Sequence, residues 1–304
     1  MPIASAFADV DFVCNVCGQR GLFRRPHFEN PELPSCLNCG SNARFRWLIH
    51  RLAIELFGRS MPLPAFPCDR SIKGIGLSDP QCIASVLAER FTYSNTSLVA
   101  EPRLDITCDT SPIGPLDFLI ASEVFEHVEP PVTRAFENAG RLLKPSGILL
   151  LTVPWVWDGD PGTAIPELHD WRLETEQDGY VIANLRADGE VERFRNMAFD
   201  GLPGPSLGHT REHFPHLKDW RVSGNCLRNT RADGAKETFH NLVFHEGTGI
   251  ALEMRLFTKG GIEDNLRAAG FRQIEFEFRD RADYGIIFGY PWSRPIAAHK
   301  RLTS

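Results

Sequence analysis

Four cysteines near the N-terminus stand in the order Cys14-x2-Cys17-x18-Cys36-x2-Cys39, and each pair is followed directly by glycine, Gly18 and Gly40. Thiolates are soft ligands, and two such pairs supply the four sulfurs of the tetrahedral site that zinc favours. Glycine after each pair lets backbone amides turn in toward a thiolate. The spacing predicts a bound Zn2+; a redox pair or a disulfide are the other uses of cysteines so placed. A four-sulfur site keeps no coordination position open, so this metal is structural. It dictates how the N-terminal segment folds and performs no reaction.

The remaining cysteines, Cys68, Cys82, Cys108 and Cys226, are scattered along the chain. That argues against a secreted disulfide framework and for a reducing, cytoplasmic setting. The N-terminus lacks a basic segment followed by a long apolar run, so no signal peptide is expected. The longest apolar stretch, 147–157, is interrupted by Thr152 and Pro154 and is too short for a membrane span. The 304 residues suffice for one large domain or two smaller ones, and a hydrophobic content of 42% is that of an ordinary globular chain. A formal net charge of −6 weighs against a nucleic-acid partner, although a local basic patch can coexist with an acidic total.

The elements that must position this chemistry follow from periodicity. Phe45, Leu48, Ile49, Leu52, Ala53 and Leu56 stripe one face of a helix over 41–57. Arg44 and Arg51 flank one side of the stripe, Arg46 and His50 the other, as a solvated face over the zinc module or as an anion-binding face. Pro62, Pro64 and Pro67 mark a linker. Strands are expected at 71–77, 97–102, 104–107, 117–122 and 148–154. Between them lie a helix capped by Asp79-Pro80 and another striped by Val132, Phe136, Ala139 and Leu142. This alternation argues for a parallel sheet covered on both faces. A helix ending at Gly270 and strands at 273–278 and 285–290 close the chain.

Between these parts the chain repeats itself. Residues 166–173 resemble 215–222, Arg186-Ala-Asp-Gly189 recurs as Arg231-Ala-Asp-Gly234, and 194–199 recur as 239–244. Asp-Gly between runs of alternating polarity signals a hairpin turn. Two homologous antiparallel β-hairpin units are expected, inserted where they can cap a binding crevice. The organisation is then a zinc ribbon plus helix at 1–60, an α/β core at 61–155 and 248–304, and a hairpin cap at 156–247.

Asp117-Phe-Leu-Ile-Ala-Ser-Glu-Val-Phe-Glu-His-Val128, Leu142-Leu-Lys-Pro-Ser-Gly-Ile-Leu-Leu-Leu-Thr-Val-Pro154 and Leu266-Arg-Ala-Ala-Gly-Phe271 resemble the class I S-adenosylmethionine-dependent methyltransferases, of the type 11-like kind. The resemblance implies an α/β fold with a seven-stranded, mostly parallel, Rossmann-like methyltransferase sheet and the cofactor across its carboxyl ends. Gly74, Gly76 and Ser78 then occupy the glycine-rich loop. Gly74 stands where the family usually has an acidic residue, and Leu77 and Ser78 replace a small residue and the second glycine. Glu101 falls where the family places an acid on the ribose hydroxyls, a task that suits a carboxylate accepting two hydrogen bonds. Asp105, in preference to Asp109, serves the adenine end, and Ser122 and Glu123 line the crevice beside the methionine moiety.

Glu126 and His127 open the segment after the fourth strand, and a histidine there can act as general base. His209, His213 and His245 are competitors. Trp155, Trp157, Trp171 and Trp220 can stack on a sugar ring or fill a core. The expectation is methyl transfer to a small-molecule or glycan-type acceptor, at oxygen or nitrogen. An RNA methyltransferase gripping phosphates with Arg44, Arg46 and Arg51, and a degenerate fold kept as a binding module, are the rival readings.

Overall fold

Each cysteine pair sits in a tight turn. In the computed structural model, β1 (Val10–Val13) and β2 (Arg20–Phe23) form an antiparallel hairpin around Cys14 and Cys17. Gly18 and Gly40 take left-handed backbone, φ 79° and 72°, and donate their N–H groups to the carbonyls of Cys14 and Cys36 at 2.7 and 2.8 Å. A side chain would be strained there, which is why glycine closes both turns. The structure describes residues 9–157 except 25, 28–32, 99, 109, 111–112 and 129–131, six strands between 169 and 239, and residues 257–301 except 290–292.

The second turn runs into helix α1 (Ala43–Phe57), whose first turn is closed by Asn42 accepting the Phe45 N–H and whose end is turned by Gly58 at φ 69°. The expected solvated helix is instead a buried one. Trp47, Leu48, Ile49 and Leu52 are at most 1% exposed, and Arg46 and His50 are buried with them. Leu63 and Phe66 of the proline-rich connection are buried as well.

The α/β part follows as β3 (Lys73–Leu77), α2 (Gln81–Arg90), β4 (Thr92–Thr96), β5 (Leu116–Ser122), α3 (Thr133–Leu142), β6 (Leu143–Thr152) and β7 (Trp155–Val156). Two antiparallel meanders come next. One is β8 (His169–Glu176), β9 (Gly179–Arg186) and β10 (Val191–Arg195); the other is β11 (Arg221–Ser223), β12 (Cys226–Thr230) and β13 (Lys236–Phe239). The Asp-Gly pairs lie outside the described residues, in sequence between β9 and β10 and between β12 and β13. The chain closes with β14 (Phe257–Thr258), α4 (Lys259–Ala268), β15 (Gln273–Phe276) and β16 (Ile296–His299).

The central sheet is mixed and has six strands in the order β15-β16-β6-β5-β3-β4, with β16 alone running against the others. Alternate residues feed two cores. Phe118, Ile120, Ile148 and Leu150 face one shared by the cysteine turns, α1 and α2; Leu119, Ala121, Leu149 and Leu151 face one shared by α3 and α4. Phe12 and Phe23 of the hairpin therefore pack into the same core as the sheet. No helix among the described residues is long and apolar enough to cross a membrane.

Four local expectations are corrected. The second strand is Thr92–Thr96, not 97–102: as an edge strand with half-exposed residues it needs no apolar run. Residues 104–107 form a turn held by Asp105, whose carboxylate accepts the Thr107 N–H and O–H, so among the described residues the sheet has six strands, not seven. The closing strand is Ile296–His299; the described residues 285–289 contribute a bridge from Ile286 to Arg281, because Gly285 turns the chain at φ 63°. Pro80 itself stands at the start of α2 and Asp79 makes no cap, its side chain being turned into the protein.

Candidate functional site

The turns bring the four cysteine sulfurs together. All four lie within 4.8 Å of one another, with Cys14–Cys39 at 3.7 Å and Cys17–Cys36 at 3.6 Å. A tetrahedron with Zn–S bonds of about 2.3 Å has edges of about 3.8 Å, so the set fits a tetrathiolate zinc site. Ser41 Oγ lies 3.2 Å from the Cys14 sulfur and 3.3 Å from that of Cys39. The hydrogen-bonded Cys39 thiol, and then burial, push Cys14 up to about 12. Thiols crowded in this way surrender their protons to a metal cation that takes their place.

A second site is set by topology. β3 has β4 on one side and β5 on the other, although the chain visits them in the order β3, β4, β5. The helices that follow β3 and β5 leave on opposite faces: α2 packs Ile83 and Leu87 into one core, α3 packs Ala135, Phe136 and Ala139 into the other. Where connections diverge like this, a crevice opens outside the carboxyl ends of the strands, the usual seat of ligands in open α/β sheets.

The first residues beyond these two strands carry an uncommon backbone. Ser78 has φ 61° and Glu123 φ 54°. Left-handed backbone costs a non-glycine residue about 1–3 kcal/mol and collects at functional sites. Each is pinned by the neighbouring strand: Ser78 N–H donates to Thr96 O at 2.8 Å and Glu123 N–H to Thr152 O at 2.9 Å. Ser122 and Thr152 hydroxyls meet at 2.9 Å. Glu101, exposed in the loop that leaves β4, accepts the Arg103 N–H at 3.0 Å. Asp105 follows in the same loop, which Asn138 of α3 holds through the carbonyls of Ile106 and Cys108. Glu126 is fully buried in the 3-10 turn Phe125–His127, 3.7 Å from His127 Nε2, and His127 is about a quarter exposed. Ser78, Glu101, Asp105, Ser122, Glu123, Glu126 and His127 thus all stand at or just beyond the carboxyl ends of β3, β4 and β5.

Gly74 and Gly76 have a different reason to be glycine. A Cβ on Gly74 would sit 2.1 Å from the Phe118 ring, and one on Gly76 would sit 2.0 Å from Tyr93 Oη and 2.1 Å from Asp79 Oδ2. Both make room for side chains of the protein's own core.

Two interactions escaped the sequence. Asp79 is buried under the loop: it accepts the Tyr93 O–H at 2.6 Å, while the Asn95 amide takes the Asp79 N–H at 2.8 Å and donates to its carbonyl at 2.9 Å. Burial pushes the Asp79 carboxyl up to about 7, against the lowering effect of the Tyr93 hydroxyl. The available signal was the polar pair Tyr93 and Asn95 two residues apart on one strand, opposite Gly74 and Gly76. Arg44 of α1 reaches Glu123 Oε1 at 3.4 Å, a pairing across the chain that no local pattern announces. Asp109, His209, His213, His245 and Trp220 lie outside the described residues, as does the side chain of Trp171. Trp155 is fully buried and donates its indole N–H to Arg294 O at 2.8 Å, so it fills a core.

No protein-family model matches the chain, and no curated protein matches it. Among solved structures it is similar to CalS10, described as an amino pentose methyltransferase from Micromonospora echinaspora, at 13% identity over 86% of this chain and 93% of that one, with a TM-score of 0.42. It is similar to the sugar N-methyltransferase KedS8 from Streptoalloteichus at 13% identity over 86% and 87%, TM-score 0.41. A third is the CcbJ methyltransferase from Streptomyces caelestis, at 12% identity over 82% and 87%, TM-score 0.35. The chain itself is an α/β protein with a mixed six-stranded central sheet and a four-cysteine cluster.

Proposed function

We propose that this chain transfers the methyl group of S-adenosylmethionine to oxygen or nitrogen of a small-molecule or saccharide acceptor. The observation that carries the reading is the left-handed, non-glycine backbone at Ser78 and Glu123, on the two strands that flank the switch point. Strain of this kind is kept where a bound group needs the chain bent. The sulfonium supplies an activated methyl group, so the protein's task is alignment and exclusion of water.

In this reading Glu101 accepts hydrogen bonds from the ribose diol, Asp105 serves the adenine end, and Ser122 and Glu123 line the amino-acid end. Arg44, held at that end by Glu123, offers a cation to a carboxylate. Gly76 lets Asp79 fold beneath the loop, so that Gly74, Gly76 and Ser78 shape the crevice floor. His127, oriented by Glu126, takes a proton from an acceptor hydroxyl. Cys14, Cys17, Cys36 and Cys39 hold a structural Zn2+, the two meanders within 156–247 cap the acceptor, and 61–155 with 248–304 form the transferase core.

The RNA reading loses two of its three cations: Arg46 is buried, and Arg51 is paired with Glu55 and Glu275 at 2.7 and 2.8 Å. The filled space over Gly74 and Gly76 favours the second reading, a methyltransferase-like fold kept for binding alone. Calorimetric titration with S-adenosylmethionine and S-adenosylhomocysteine tests the cofactor site on which the transferase reading depends. Micromolar binding, weakened at least tenfold in Glu101→Ala, is expected, a carboxylate–diol contact contributing about 1.5–3 kcal/mol. No binding by folded protein would defeat the transferase reading.

A further inference from the structure

Arg46 is fully buried beside the cysteine cluster. Removing a guanidinium from water costs several kcal/mol unless an opposite charge balances it. Its hydrogen bonds go to neutral acceptors: Ser41 O at 2.8 Å, Ser41 Oγ at 3.3 Å, Ser35 Oγ at 2.6 Å and Gly285 O at 2.7 Å. Among the described residues no carboxylate forms an ion pair with it; the groups beside it that can ionise are the cysteine sulfurs, two of which lie 3.2 and 3.3 Å from the Ser41 hydroxyl that accepts its hydrogen bond.

Four thiolates around a divalent cation leave a net charge of −2. We propose that Arg46 is the built-in counter-charge of such a dianionic metal centre and fastens it to the segment around Gly285. Ser41 is the relay. Its hydroxyl accepts from Arg46 and lies 3.2 and 3.3 Å from two sulfurs, so its own proton is free to point at a thiolate. The fastening is steric as well as polar. The Arg46 guanidinium lies over the Phe12 ring, 4.4 Å from its centre, and that ring fills the space over Gly21 and Gly285, where a Cβ would come within 2.3 and 2.6 Å of it. One side chain thus touches the elements flanking both cysteine pairs and a turn some 240 residues away in sequence.

The test compares Arg46→Met, which keeps much of the length and removes the charge, with Arg46→Lys, which keeps the charge and loses the fork. Zinc affinity is measured on the full chain by competition with a chelator, alongside thermal melting. Outer-shell partners of metal ligands are worth about 10–100-fold in metal affinity, and Arg46→Met is expected to show that loss. Arg46→Lys is expected to stay within about threefold of the unmodified protein while melting lower, since one ammonium cannot reach Ser35, Ser41 and Gly285 together. A purely structural Arg46 would lower both melting temperatures and leave zinc affinity unchanged in the folded Met variant, which overturns the proposal. If Arg46→Met does not fold, Arg46→Lys decides: a loss of about tenfold or more in zinc affinity overturns the counter-charge role.

Discussion

The cysteine cluster and the strand-end crevice are joined by the first turn of α1, which sends Arg46 into one and Arg44 to the other. They are built on opposite plans. The cluster takes its four candidate ligands from a short stretch of chain, closed by two glycine turns, and its sulfurs converge with no help from strand order. The crevice takes residues from the ends of three strands spread over fifty positions, and it exists only because the chain switches sides at β3. A closed site of local origin is robust and chemically silent. An open site assembled at a distance carries strain at Ser78 and Glu123.

The largest effect expected from this contrast is on folding. Cys36→Ser removes one of the four candidate ligands, and structural zinc is worth on the order of 10–16 kcal/mol to a small metal-dependent fold. Since Phe12, Phe23, α1 and the sheet share one core, the loss spreads beyond the ribbon. Zinc content measured with circular-dichroism melting is expected to show less than one metal per chain and a collapsed transition; unchanged melting argues against a structural metal.

Next comes Asp79, beneath the crevice. Its carboxyl is raised by folding from 3.8 to about 7, so the folded chain holds a proton that the unfolded chain has released in that window. The stability it contributes is full below about pH 4 and is lost as pH rises through 7, a slope worth on the order of a few kcal/mol. Asp79→Asn keeps an oxygen for the Tyr93 hydroxyl and removes the proton. Urea unfolding at pH 5 and pH 8 is expected to show the unmodified protein losing stability relative to this variant; parallel pH profiles contradict the buried, neutral carboxyl.

The smallest effect is expected at Ser78. Ser78→Gly relieves left-handed backbone and is expected to stabilise the chain by about 1 kcal/mol, read as a shift in the urea midpoint. A destabilised variant would mean that the serine side chain supports the loop.

The same contrast governs what was legible beforehand. The cluster could be read from spacing because each ligand pair is separated by two residues and punctuated by glycine. The buried strands at 117–122 and 148–154 could be read because both faces are covered and their centres, Phe118–Ala121 and Ile148–Leu151, are unbroken apolar runs. Strand β4 could not, since an edge strand tolerates Thr92-Tyr-Ser-Asn-Thr96, and the apolar run just after it drew the assignment away. The glycine pair was legible as a loop feature, but its cause, the Phe118 ring, the Tyr93 hydroxyl and the Asp79 carboxyl, depends on sheet register. Arg46 shows the limit most clearly: on helical spacing it belongs to a solvated flank, and only the folded position of the four sulfurs makes its burial sensible.

The most direct test of the crevice is hydrogen exchange of the zinc-loaded protein with and without S-adenosylhomocysteine. Protection is expected in peptides covering 77–81, 97–105 and 122–127, the loops that follow β3, β4 and β5, with little change around Cys14–Cys39. Saturating ligand that leaves those loops unprotected, or protects a different edge of the sheet, contradicts the assignment of the switch point as the cofactor site.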